Sequence, residues 1–133
     1  MKLNRIQGFT LIELLITIVI IGLLASLVAP DMFSKVSSSK RKTAQTQMAM
    51  LETAINTYRL DVGTVPASLT ELTQSKASGW DGPYLPKEVP LDPWGAAYDY
   101  KTPGDNGALY SLKSFGADKQ PGGEGDNEDI IHK

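Results

Sequence analysis

The sequence predicts an α+β fold in which a long N-terminal helix, transmembrane in its first half and amphipathic in its second, packs on a small antiparallel β-sheet with a Pro/Gly-rich loop. Three observations predict it. Phe9 to Ala29 is an apolar run of twenty-one residues in which Glu13 is the only charge. Apolar residues then recur at steps of three and four as far as Tyr58. After Gly63 the texture changes to Gly, Pro and short aromatic runs.

At about 1.5 Å per helical residue the apolar run spans roughly 30 Å, the hydrocarbon thickness of a bilayer. The competing reading is an ordinary secretory signal, whose apolar region is about 7–15 residues and ends at a small-residue cleavage site. This run is longer, and Pro30 directly follows its small-residue exit. Beyond it Ala44, Met48, Leu51, Ile55 and Tyr58 form one stripe, with Lys42, Gln45, Glu52 and Arg59 elsewhere around the helix. A single helix from near Phe9 to near Leu60 follows, with Gly63 as its stop and Pro66 preventing continuation. Pro30 removes a backbone donor and is expected to bend or locally open it.

In the remaining segment Ser68-Leu-Thr-Glu71 carries an N-cap signal and predicts a short second helix. Four prolines between Pro83 and Pro93 forbid a regular helix or central strand there, leaving an ordered loop pinned by Trp80, Tyr84 and Trp94. Ala97–Tyr100 and Ala108–Leu112 read as strands joined through Thr102–Gly107, whose Asn-Gly pair favours a tight hairpin turn. The expected organisation is a leader over residues 1–8, a transmembrane helix over 9–29, its amphipathic continuation over 30–62 and a globular head over 63–133.

The chain has 133 residues and no Cys, so the small head cannot draw on a disulfide, and metal binding or assembly are the remaining supplements to its core. The net charge of −2 hides an asymmetry. Lys2, Arg5, Lys35, Lys40, Arg41 and Lys42 crowd the first third, whereas Asp118, Glu124, Asp126, Glu128 and Asp129 crowd the end. A basic stretch beside an apolar run, without interleaved aromatics, reads as a phosphate-facing membrane flank and argues against nucleic-acid binding. Catalysis finds no support: one His, at the penultimate position, and no Cys leave no triad or zinc set, and no phosphate loop follows a strand. Asp92 and Asp99 are the nearest thing to an acid pair, but a Pro-flanked loop Asp is commonly a turn former.

Glu13 inside the apolar run costs on the order of 2.5–3.5 kcal/mol near mid-membrane. One explanation is that it lies close enough to the interface to snorkel. A sharper one starts from the basic leader MKLNRIQG, which meets the apolar run at Gly8-Phe9. Cutting there creates a positively charged amine at Phe9, four residues before Glu13. The two groups share a helical face, and in a stack of parallel helices each Glu13 could instead neutralise the amine of the next subunit.

Gly8-Phe-Thr-Leu-Ile-Glu13 behind Lys2 and Arg5 resembles the type III signal of type IV pilins and pseudopilins, with Pro30 and the amphipathic helix in the places that class has them. The resemblance implies that a prepilin peptidase cuts between Gly8 and Phe9 and N-methylates Phe9, and that Glu13 sets subunit recruitment and register in a helical filament. It also implies a single-pass inner-membrane protein with a periplasmic head, whereas two basic side chains before the run and four soon after it favour the opposite orientation by count.

Gly79–Leu85, Pro90–Gly95, Tyr98, Ser114–Asp118, Gly122–Gly125 and Asp129-Ile130 resemble the major pseudopilin of the type II secretion system. The departures are Phe115, where that family often has Leu, and the ending Ile-Ile-His-Lys133 in place of Asn-Trp. The resemblance implies a homo-oligomeric periplasmic filament that drives export of folded proteins across the outer membrane, with minor pseudopilins and an inner-membrane assembly platform as partners. The alternatives are a type IV pilin for adhesion, motility or DNA uptake, and a monomeric membrane-tethered calcium sensor. By composition the acidic tail reads as a solvated end. The resemblance implies instead a calcium site at Asp118 and Asp129, with Glu128 and Asp126, completed by main-chain carbonyls near Phe115 and Gln120.

Overall fold

The structure, a computed structural model, describes residues 7–132, and at residues 28 and 29 the backbone alone. Most of the leader expected over residues 1–8 therefore lies outside the described residues. By internal packing the chain divides into two compact units, Met1–Val36 and Ser37–Lys133. From Ser37 onward the amphipathic half of the helix belongs to the same compact unit as the globular head.

Helix α1 runs Leu11–Val62. Pro30 lies inside it and the backbone stays helical on both sides, so the expected local opening is not observed. Among the described residues of the first unit the large apolar side chains are exposed, from Phe9 at 92% through Leu27 at 73% to Phe33 at 75%. An eighteen-residue window here has a mean hydropathy of 2.8 with none of it buried, so the segment is long and apolar enough to cross a membrane. The helix ends as the sequence predicts: Gly63 takes φ +92, a conformation that costs a side-chain-bearing residue about 1 kcal/mol or more, and its N–H closes on Arg59 O at 2.8 Å.

In the second unit Ala44, Met48, Leu51, Ile55 and Tyr58 are all buried to 2% exposure or less, joined by Ala54. Against this stripe pack Leu69, Leu72, Leu85, Tyr98, Leu112 and Ile130. The segment after Ser68 is a single 3-10 turn, Leu69–Leu72, rather than an α-helix. Glu71 explains its brevity: its carboxylate accepts from Ala67 N at 2.8 Å and from Tyr58 OH at 3.1 Å, so it ties the turn to α1 instead of extending it.

The sheet has three antiparallel strands in the order β1 (Asp99–Lys101), β2 (Ser111–Ser114) and β3 (Ile130–Ile131). Tyr100 lies opposite Leu112, and Ser114 opposite Ile130. The first two strands begin two and three residues later, and end one and two residues later, than the sequence suggests. The Asn-Gly pair does turn the chain, with Asn106 at φ 54, but it lies in a 3-10 turn, Asp105–Gly107, within a longer connection. Asp105 bridges Lys101 at 3.1 Å and Lys113 at 3.4 Å, which brings the strands together beyond the tight turn. Trp80 and Tyr84 pin the Pro-rich loop as expected. The indole donates to Glu71 O at 2.8 Å, and the two rings meet edge to face at 5.7 Å.

Candidate functional site

Two regions carry the residues singled out from the sequence. The first is the start of α1. Thr10 stands immediately before the helix; its Oγ1 accepts from Glu13 N at 3.2 Å, and Glu13 Oε2 accepts from Thr10 N at 3.4 Å. This is a reciprocal capping box, which satisfies two of the amides that every helix leaves unpaired at its N-terminus. The sequence reading missed it although its signal, Thr-x-x-Glu, was present. Gly8 and Phe9 lie just ahead, both exposed, and nothing lies within 4 Å of a Cβ built on Gly8.

The second region is the loop between β2 and β3. It opens at Gly116, which is buried with φ +76; a Cβ there would lie 2.8 Å from Asp126 O and 3.0 Å from Glu128 O, so only glycine lets the two limbs approach. Ala117 N donates to Asp126 O at 2.9 Å across the same gap. Asp118 Oδ1 accepts from Gln120 N at 3.1 Å, and Asp129 Oδ2 from Gly122 N at 3.0 Å. Asp129 Oδ1 is buried with no hydrogen-bond partner. An unpaired carboxylate oxygen out of water is costly, on the order of 1–3 kcal/mol or more.

The other two candidate carboxylates are engaged with α1. Asp126 Oδ1 accepts from Ser37 Oγ, and Glu128 Oε2 lies 3.9 Å from Arg41 Nη2. Arg41 Nη1 also donates to the carbonyls of Gly125 at 3.2 Å and Glu128 at 3.0 Å. Asp118, Asp126, Glu128 and Asp129 are therefore near one another in the chain but face different partners. Among the described residues no three His, Cys, Asp or Glu side chains gather as a ready metal cluster. Phe115 leads into the loop directly after β2, half-buried, and Gln120 is exposed within it.

Asp92 and Asp99 do not form an acid pair. Asp92 is 4% exposed and accepts from Trp94 N at 3.1 Å, Ala96 N at 2.8 Å and Ser114 Oγ at 2.8 Å, while Asp99 sits in β1 opposite Lys113. The His132 ring meets Glu52 Oε2 at 2.6 Å through Nε2, and its backbone N–H donates to Leu112 O at 3.0 Å. The last strand is thus tied to α1 by a polar contact.

Comparison with known proteins adds to this geometry. Residues 31–133 match the family model described as "Type II secretion system (T2SS), protein G", and residues 3–29 match the prokaryotic N-terminal methylation motif. The chain is 36% identical to the type II secretion system core protein G of Vibrio cholerae, over 97% of this chain and 92% of that protein. It is 34% identical to the core protein G of Pseudomonas aeruginosa, over 98% and 96% respectively. The crystal structure of the major pseudopilin from the type 2 secretion system of enterohaemorrhagic Escherichia coli superposes with a TM-score of 0.62 at 25% identity, covering 73% of this chain and 85% of that one. Because the family match takes in the head and the amphipathic helix, and the relatives align over nearly their whole length, the chain belongs to the type II secretion system protein G family, the major pseudopilins.

Proposed function

We propose that this chain, as the structural subunit of a type II secretion pseudopilus, polymerises from the inner membrane into a periplasmic helical filament whose growth drives folded proteins across the outer membrane. The observation that carries this reading is the first unit: an apolar helical surface, exposed at its described side chains between Phe9 and Val36, with one carboxylate at its N-terminal end. In a bilayer that surface faces lipid; in a filament it faces the same helix of neighbouring copies. Cleavage by a prepilin peptidase between Gly8 and Phe9 frees an amine at Phe9, which is then N-methylated. Glu13 of one subunit pairs with that amine in the next, offsetting the cost of a carboxylate in an apolar setting. Minor pseudopilins and an inner-membrane assembly platform are the partners such a filament needs at its tip and base. The role is structural rather than catalytic.

The test is crosslinking in native membranes of the host. A ladder of oligomers that collapses to monomer in Glu13→Val supports polymerisation. Monomer alone in the parent contradicts it and favours a tethered monomer.

We also propose that the β2–β3 loop holds calcium. The residues fit: Asp129 presents a buried, unpartnered oxygen, Asp118 lies on the opposite limb, and the intervening Gly122, Gly123 and Gly125 take positive φ in a tightly turned backbone. Asp118 and Asp129 with the main-chain carbonyls of Phe115 and Gln120 would hold it. Asp126 and Glu128 would join only by leaving Ser37 and Arg41. A bound ion would neutralise the loop's carboxylates and tie its limbs together, as a disulfide does in other small heads.

A further inference from the structure

We propose that Arg41 positions the acidic loop from α1, holding Asp129 in the orientation that a cation needs; the inference rests on the calcium reading above. The guanidinium donates through Nη1 to the carbonyls of Gly125 at 3.2 Å and Glu128 at 3.0 Å. These two carbonyls bracket the 3-10 turn Gly125–Asn127. One helical turn earlier Ser37 donates to Asp126 within the same turn, so α1 grips it at three points.

The consequence for Asp129 follows from peptide geometry. Glu128 C=O and Asp129 N–H belong to one rigid plane, so fixing the oxygen fixes the plane from which Asp129 departs. Gly122 N then fixes Asp129 Oδ2, and the buried Oδ1 is the atom left without a partner. The ion pair between Arg41 and Glu128 explains little of this, because at 3.9 Å with a 64% exposed carboxylate it is worth little. The carbonyl contacts matter more: they are charge-assisted and made by an arginine side chain only 26% exposed. A cation beside the loop also opposes the mutual repulsion of five carboxylates before any metal arrives. Arg41 is thus a positioning residue, acting on the ion through Asp129.

The experiment uses the full-length chain in detergent micelles, as parent, Arg41→Lys and Arg41→Met. Calcium chloride is titrated calorimetrically, and each protein is melted in chelator. Loss of a residue that orients a metal ligand weakens affinity by about 10–100-fold, and Arg41→Met should fall in that range. Arg41→Lys, which keeps a charged donor, should recover part of it. The midpoint in chelator should also fall in Arg41→Met, because two charge-assisted hydrogen bonds are lost whether or not metal is present. A mere surface fastener would lower the chelator midpoint and leave the dissociation constant alone. Parental calcium affinity in Arg41→Met overturns the Arg41 inference and leaves the calcium site standing. A parent that takes up no calcium overturns the calcium reading and this inference with it.

Discussion

Asp92 Oδ2 accepts a hydrogen bond from Ser114 Oγ at 2.8 Å, with Asp92 4% and Ser114 0% exposed. This contact joins the Pro-rich loop to the end of β2, and Ser114 Oγ in turn accepts from Gly116 N at 3.3 Å, where the acidic loop begins. A fold with so little sheet thus relies on a buried carboxylate that organises two loops at once.

Removing that carboxylate strands Ser114, Trp94 N and Ala96 N without an acceptor. Asp92→Ala should cost about 3 kcal/mol in urea unfolding of a fragment beginning at Ser37. Asp92→Asn, which keeps one carbonyl oxygen, should cost less, and Ser114→Ala about 1 kcal/mol. An Asp92→Ala change within about 0.5 kcal/mol of the parent, as for an ordinary surface substitution, would remove Asp92 from this role.

Glu13 caps the helix and, in the proposed filament, also presents a charge, and one substitution divides the two. Glu13→Gln keeps an acceptor for Thr10 N but carries no charge, whereas Glu13→Val loses both. Both variants should insert into membrane as well as the parent or better, and both should fail to assemble. Filament formation by Glu13→Gln at parental levels would show that the cap, and not amine pairing, is what assembly requires.

Calcium in the β2–β3 loop, as proposed above, predicts a response to chelator. At free calcium about 100-fold above its dissociation constant, binding adds roughly 2.7 kcal/mol to the folded state. The melting midpoint of the Ser37–Lys133 fragment should drop in chelator by about 10 °C. Asp118→Ala and Asp129→Ala should abolish the difference, and Glu124→Ala should largely spare it. An unchanged midpoint would return the loop to a solvated acidic end.

All five tyrosines are held above their ordinary value of 10, chiefly by burial. Tyr100 is pushed up to about 12, its hydroxyl donating to Pro66 O at 2.6 Å, and Tyr98 is raised further. A raised phenol favours the neutral form in the folded state. Its contribution is therefore complete below about pH 10, where the unfolded chain is also neutral, and is lost as pH rises from 10 through 12. Tyrosinate absorbance should rise late and together with unfolding. A rise completed near pH 10 in a still-folded head would contradict the packing of Tyr98 and Tyr100.

Much of this architecture was legible because it repeats. The stripe from Ala44 to Tyr58 declares its period, and Gly63 declares the helix end. The Asp92–Ser114 contact spans 22 positions and the Arg41 contacts 84 and 87, distances at which no local pattern constrains partners. Strand positions slipped because Ala97–Tyr100 and Ala108–Leu112 are too short to fix register, which Asp105 and its two lysines settle instead. Glu71 was read as a helix signal because its spacing fits a capping box, and its engagement with Tyr58 is a tertiary fact. The loop carboxylates were legible as a group, but not which of them α1 takes.

A subunit whose filament drives folded proteins out of the periplasm, as proposed, is required for their export, and deleting its gene in the organism that carries it shows whether this one is. The measurement is the partition of normally exported proteins between periplasm and medium. They should accumulate, folded, in the periplasm, and the parent chain but not Glu13→Val should restore them to the medium. Unchanged export, accompanied by loss of surface fibres or of motility, would contradict the proposal and make the chain a surface pilin.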